Sequence, residues 1–240
     1  MRVITHDATI ERNRRIAQYS FFFSLIALLA AFLFGNSLAG GNETIAIYFN
    51  CGVLPSLFLV ILFSVRMANN WVREPLPWQA IQQALRGQHG TLYHFVFPAR
   101  HVLVSPTGVY VLFPMFQDRR IVVKDDKWQI PGGVVARVLT FMRQEAVGNP
   151  PHDAKIEAAA LQKLLDEKLP GTIVQVQPVI VFTHPKAFAV IEGEPSVPVV
   201  YTLADREPLL KDYLRQQKDQ GRTTLTADQL EVLENPFIYA

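Results

Sequence analysis

Two apolar runs dominate the first third of the chain. Ile16 to Asn42 carries no charged residue and is densest from Phe21 to Phe34. Thr44 to Val65 is equally free of charge, and Gly40-Gly41-Asn42-Glu43 separates the two. A helix rises about 1.5 Å per residue, so about 20 apolar residues cross a hydrocarbon core of roughly 30 Å. Both runs reach that length. Backbone groups in lipid must be paired within the segment, which favours helices. The pattern predicts a transmembrane helical hairpin over 16–66. A soluble core hairpin would be shorter with a polar face, and a signal peptide would lack a second span.

After the hairpin the pattern shortens. Pro77 to Leu85 has apolar spacing at Trp78, Ile81 and Leu85 and predicts a short helix. Thr91 to Phe97, His101 to Ser105 and Val109 to Phe113 predict strands, the last two joined by a turn at Pro106-Thr107-Gly108. Continuous apolar runs of this length suit strands buried on both faces. Arg119 to Lys124 and Lys127 to Ile130 predict a hairpin around Asp125-Asp126. A helix is expected over Val134 to Ala146, and another from Ala154 to Lys168 with Asp153 as its cap. Strands follow at Thr172 to Thr183, Ala187 to Ile191 and Val197 to Thr202. Asp205 to Gln216 predicts a helix, and Thr226-Ala227-Asp228-Gln229 is a capping box for a last one. The alternation predicts an α/β or α+β domain with a mixed sheet.

Charge refines the hairpin. Arg12, Arg14 and Arg15 precede the first run, Arg66 and Arg73 follow the second, and the connection has neither Lys nor Arg. The positive-inside rule then places both termini in the cytoplasm of an integral membrane protein with two spans. Neither run contains Asp, Glu, Lys or Arg, which argues against an ion pathway. The chain has 23 Lys+Arg and 21 Asp+Glu. The excess lies before Trp71, so the rest is formally neutral and has no nucleic-acid signature in its net charge. Cys51 is the only cysteine, which excludes an intrachain disulfide and a Cys-based zinc site. Trp71 and Trp78 flank Pro75 and Pro77 in a juxtamembrane connector, where tryptophan anchors at an interface or packs on the domain.

Three pieces resemble the nuclease-related domain (NERD) family of the PD-(D/E)XK, restriction-endonuclease-like superfamily. Arg100 to Phe113 is similar to its core hairpin. Arg119 to Trp128 is similar to the basic strand and Trp that follow. Gly148-Asn149-Pro150-Pro151-His152-Asp153 and then Pro178 to Thr183 are similar to its helix and late strand. The resemblance implies a restriction-endonuclease-like mixed sheet and a metal-dependent nuclease ancestry. It also implies carboxylates for a divalent cation and a lysine for the attacking water. Here Arg100 stands at the Asp position, Phe113-Pro114-Met115 replaces the Glu-x-Lys triplet, and Asp153 replaces a Gln. The resemblance therefore implies the fold without the activity.

The expected organisation is a lead over 1–15, the hairpin over 16–66, a connector and helix over 67–89, a NERD-like domain over 90–205 and C-terminal helices over 206–240. Candidate contacts to phosphate or a partner are Arg100, Arg119, Arg120 and Lys124. Solvated charges on a hairpin edge are the plainer reading of them. No catalytic, cofactor or metal residue is assigned. The expected role is a membrane-anchored binding or scaffolding module, in contact with the bilayer and an unidentified protein. Nucleic acid is a weaker partner, given the balanced charge. The alternative is a nuclease that holds Mg through displaced ligands among Asp118, Asp125, Asp126 and Glu145. His89, His94 and His101 lack a regular ligand spacing.

Overall fold

The computed structural model describes residues 1–39, 43–72, 74, 76–117, 120–124, 126–132, 147–168, 174–219 and 228. The chain divides into two units. One comprises Met1–Asp7, Pro77–Gly132 and Val147–Ala240, and the other comprises Ala8–Leu76 and Gly133–Ala146.

The first unit is built on a mixed sheet. Its strands are β1 (Arg2–Thr5), β2 (Thr91–His94), β3 (His101–Ser105), β4 (Gly108–Met115), β7 (Val176–Phe182) and β9 (Val199–Tyr201), in the order β1-β2-β3-β4-β7-β9. Pairs β2–β3 and β3–β4 are antiparallel, while β1–β2, β4–β7 and β7–β9 are parallel. Antiparallel neighbours need only a tight turn. Between β3 and β4 it is closed by Ser105 Oγ and Thr107 Oγ1 at 2.8 Å. Parallel neighbours need a crossover, and helix α5 (Pro150–Lys168) supplies it between β4 and β7. Gly90 enters β2 at φ +124°, and a Cβ there would stand 2.3 Å from the Val104 carbonyl oxygen, so only glycine fits.

Side-chain alternation gives the sheet two buried faces. Val109 and Val111 of β4 join Tyr93, Val102 and Val104 against Ala158, Leu161 and Leu165 of α5. Tyr110 and Leu112 join Leu92, Leu103, Val179 and Val181 against helices α4 (Pro77–Ala84) and α6 (Leu210–Asp219), through Ile81 and Leu210. The predicted double-sided burial thus follows from helices on both faces. A second sheet, ordered β6-β5-β8, contains β5 (Arg120–Lys124), β6 (Lys127–Gln129) and β8 (Phe188–Glu192). Its Ile121, Val123, Trp128 and Ala189 pack with Phe113, Met115 and Phe182.

Several boundaries differ from the expected ones. Residues 1–15, expected as a polar lead, contain β1, which pairs beside β2, and the first turns of helix α1 (Asp7–Ala39). Helix α5 starts earlier than expected. Asn149 Oδ1 accepts the His152 amide at 3.3 Å, so Asn149 rather than Asp153 is the cap, with Pro150 in the first turn. The helix expected at Val134–Ala146 lies outside the described residues. So do the hairpin turn at residues 40–42 and the last helix, except for Asp228.

In the other unit, α1 is followed by α2 (Glu43–Tyr48), a π-helical turn (Phe49–Val53) and α3 (Leu54–Trp71). Pro55 has no N–H to give, and the Leu54 amide reaches back to the Phe49 carbonyl, which opens the turn. Ser64 Oγ of α3 donates to the Ser20 carbonyl of α1 at 3.2 Å.

The expected two-helix transmembrane hairpin is corrected. Among the described residues one helical stretch, Cys51–Trp71, is long and apolar enough to cross a membrane, with a mean hydropathy of 2.0. Helix α1 starts at Asp7, so its first turns carry Asp7, Glu11, Arg12, Arg14 and Arg15. Its described part does not form a comparable apolar span. The two-span topology falls with this, and so does the placement of both termini in the cytoplasm that was deduced from it.

Candidate functional site

The residues singled out from sequence occupy three separate settings. Arg100 directly precedes β3, on the sheet face covered by α5. There its Nε donates to Glu157 Oε1 at 2.8 Å, its Nη2 lies 2.7 Å from the same oxygen, and its backbone amide reaches Glu157 Oε2 at 3.2 Å. The guanidinium lies over the Phe113 ring, 5.1 Å from its centroid. Period-two alternation explains the meeting, since Arg100 and Phe113 both point to the α5 side. A partly exposed pair of this kind contributes about 1 kcal/mol, and the cation–π contact adds about 0.5–1 kcal/mol. The positive charge is already matched within the fold.

Arg120 and Lys124 sit at the two ends of β5, both exposed, with half-buried Val122 between them. They point away from the face where Ile121 and Val123 pack with Phe113. Arg120 stands beside Phe188 of β8, and Lys124 beside Lys127 of β6 and Glu192 of β8. Arg100, beside β3, and these two cations on β5 are therefore associated with different sheets. Arg119 lies outside the described residues, as do Asp118, Asp125 and Glu145. Asp126 sits in the hairpin turn at φ 62°, and its Oδ1 accepts the Ser196 amide at 2.8 Å. Hydrogen bonds from Ser196 hold its carboxyl below the usual range.

The third setting is buried. His94 ends β2 and His101 begins β3, and the antiparallel register places them opposite each other. Their Nδ1 atoms are 2.9 Å apart. Trp78 of α4 packs on His94 with ring centroids 5.6 Å apart, and Phe95, at φ 61°, meets His101 edge-on at 5.0 Å. His94 Nε2 is buried without a hydrogen-bond partner. Burial pushes the His94 imidazole down to about 4. Burial, then His94 and Arg100, push His101 well below its ordinary value. Sequence reading noted both histidines but not their pairing. The signal was their place at the two inner ends of consecutive strands joined by a short loop.

Among the described residues no group of three His, Cys, Asp or Glu side chains is placed to hold a metal ion. The paired histidines supply two nitrogens without a third ligand, which falls short of the usual zinc donor set. The chain matches no protein-family model, no curated protein and no solved structure. The nuclease-related and restriction-endonuclease-like descriptions are accordingly withdrawn, and what stands is a mixed α/β sheet unit joined to a unit with one apolar helix of membrane-spanning length.

Proposed function

We propose that this chain is a membrane-associated binding or scaffolding module, in which the sheet unit engages a protein partner and the apolar helix holds it at a bilayer. The observation that carries this reading is the inverted burial of the helical unit. Phe23 is 72% exposed and Leu59 is 60% exposed, while Ser24 and Ser64 are buried. Such a surface is costly in water and favourable in lipid. A binding role is favoured over catalysis by the state of the ionisable groups. Arg100 is committed to Glu157, and His94 and His101 are committed to each other and sealed by aromatic rings. The outer face of β5 and β8 presents Arg120, Lys124 and the partly exposed Phe188, a mixture suited to a protein surface more than to a phosphate backbone.

The test uses the full chain reconstituted with lipid vesicles. It is floated on a density gradient, then incubated with single- and double-stranded DNA and RNA in magnesium. Co-flotation that resists high salt, with neither cleavage nor salt-sensitive nucleic-acid binding, is the expected result. Protein left at the bottom of the gradient overturns the membrane part. Chelator-sensitive cleavage overturns the binding part.

A further inference from the structure

The paired histidines lie beside both β1 and α4 within the sheet unit. Thr5 of β1 is paired with His94, and the His6 amide donates to the His94 carbonyl at 3.0 Å. Helix α1 starts at the next residue, Asp7. On the return path Leu76 is followed by α4, whose second residue, Trp78, packs on the His94 ring. One residue, His94, therefore meets β1 through its backbone and α4 through its side chain.

We propose that His94 and His101 form an acid-sensitive clasp that fastens β1 and α4 to the sheet. Four ring nitrogens share two hydrogens in the neutral pair, and one of these lies between the Nδ1 atoms. With the shared hydrogen on His94 Nδ1, a first added proton goes to His94 Nε2, which is buried without an acceptor, so the new N–H is left unsatisfied beside aromatic rings. A second proton places hydrogens on both Nδ1 atoms, which cannot then stay 2.9 Å apart. Either step drives a ring outward, removes the surface on which Trp78 rests and shifts the strand end with which β1 pairs.

Few charges surround the pair to offset this. Arg100 precedes β3 and opposes a cation at His101. Glu157 lies on the other sheet face and is held by Arg100. Helix α4 and strand β4 contain no charged residue, and α6 exposes Lys211, Asp212 and Arg215 to solvent. On the N-terminal side His6 and Asp7 are exposed.

Hydrogen–deuterium exchange on the full chain in detergent micelles tests the clasp, at about pH 7 and about pH 4.5 with intrinsic rates corrected. Amides of Arg2–Thr5 and of α4 after Pro77 are expected to exchange about tenfold faster in acid, relative to those of β7 other than Pro178. The double variant H94F/H101F is expected to lose that selective change. Unchanged exchange in the wild type, or the same acceleration in the variant, overturns the proposal. A variant that does not fold leaves a second readout, the ring-nitrogen titration of labelled histidines in the wild type. Ordinary titration of both rings while β1 and α4 stay protected would also sink it.

Discussion

The two units place similar side chains in opposite surroundings. In the sheet unit, Leu103, Leu112, Val179 and Val181 are sealed between helices, and charges lie outside. In the helical unit, Phe22, Phe23, Leu59 and Phe63 are exposed, and Ser24 and Ser64 are inside. Apolar content alone does not separate a core from an exposed apolar surface. What separates them is where the polar groups go. Ser24 Oγ donates to the Phe21 carbonyl, and Ser64 Oγ to the Val60 and Ser20 carbonyls, so their hydrogen bonds are met without water.

The contrast can be broken most forcefully in the sheet unit. Leu112→Ala should lower stability by about 3–4 kcal/mol in chemical denaturation, because a fully buried side chain leaves a cavity. Leu59→Ala, made at an exposed site, should leave the sheet unit's transition unmoved. In the helical unit the sharper probe is charge. Leu59→Arg should cost about 3 kcal/mol of insertion and deplete the vesicle-bound fraction in flotation. Equal flotation of the two proteins would mean that Cys51–Trp71 does not enter lipid.

Acidity distinguishes the units next. The folded-state value for His94 is about 4, below its ordinary 6.5, so the unfolded chain takes up the proton first. Stability from this group is complete above about pH 6.5 and drains away as pH falls towards about 4, by about 3 kcal/mol. Denaturation midpoints across that window should fall for the wild type and flatten in H94F/H101F. The smallest effect concerns the surface. Glu157→Gln should cost about 1 kcal/mol at moderate salt, and less as salt rises, since the Arg100 pair is partly exposed.

Local elements of the sheet unit were readable where apolar runs met clear punctuation. Strands β3 and β4 stand on either side of Pro106-Thr107-Gly108, and α5 follows Asn149-Pro150. What depended on distant partners was not readable. Strand β1 is four residues long and abuts a long helix, so no periodicity announces it. Strand β8 carries the same alternation whether it joins the main sheet or pairs with β5. The candidate cations were legible as residue types only. Whether Arg100 is spare or already bound to Glu157 depends on a contact with residues 57 positions away. The helical unit was legible as apolar, and of the two expected spans one, Cys51–Trp71, has membrane-spanning length and hydropathy among the described residues.

Strand β1 also sets a timetable. Its residues precede the helical unit in the chain, yet their partner is Thr91–His94, 89 positions later. Ala8–Leu76, the larger part of the helical unit, is made before Arg2–Thr5 has anything to pair with. The parallel edge of the sheet is therefore a seam that closes only after that segment has left the ribosome.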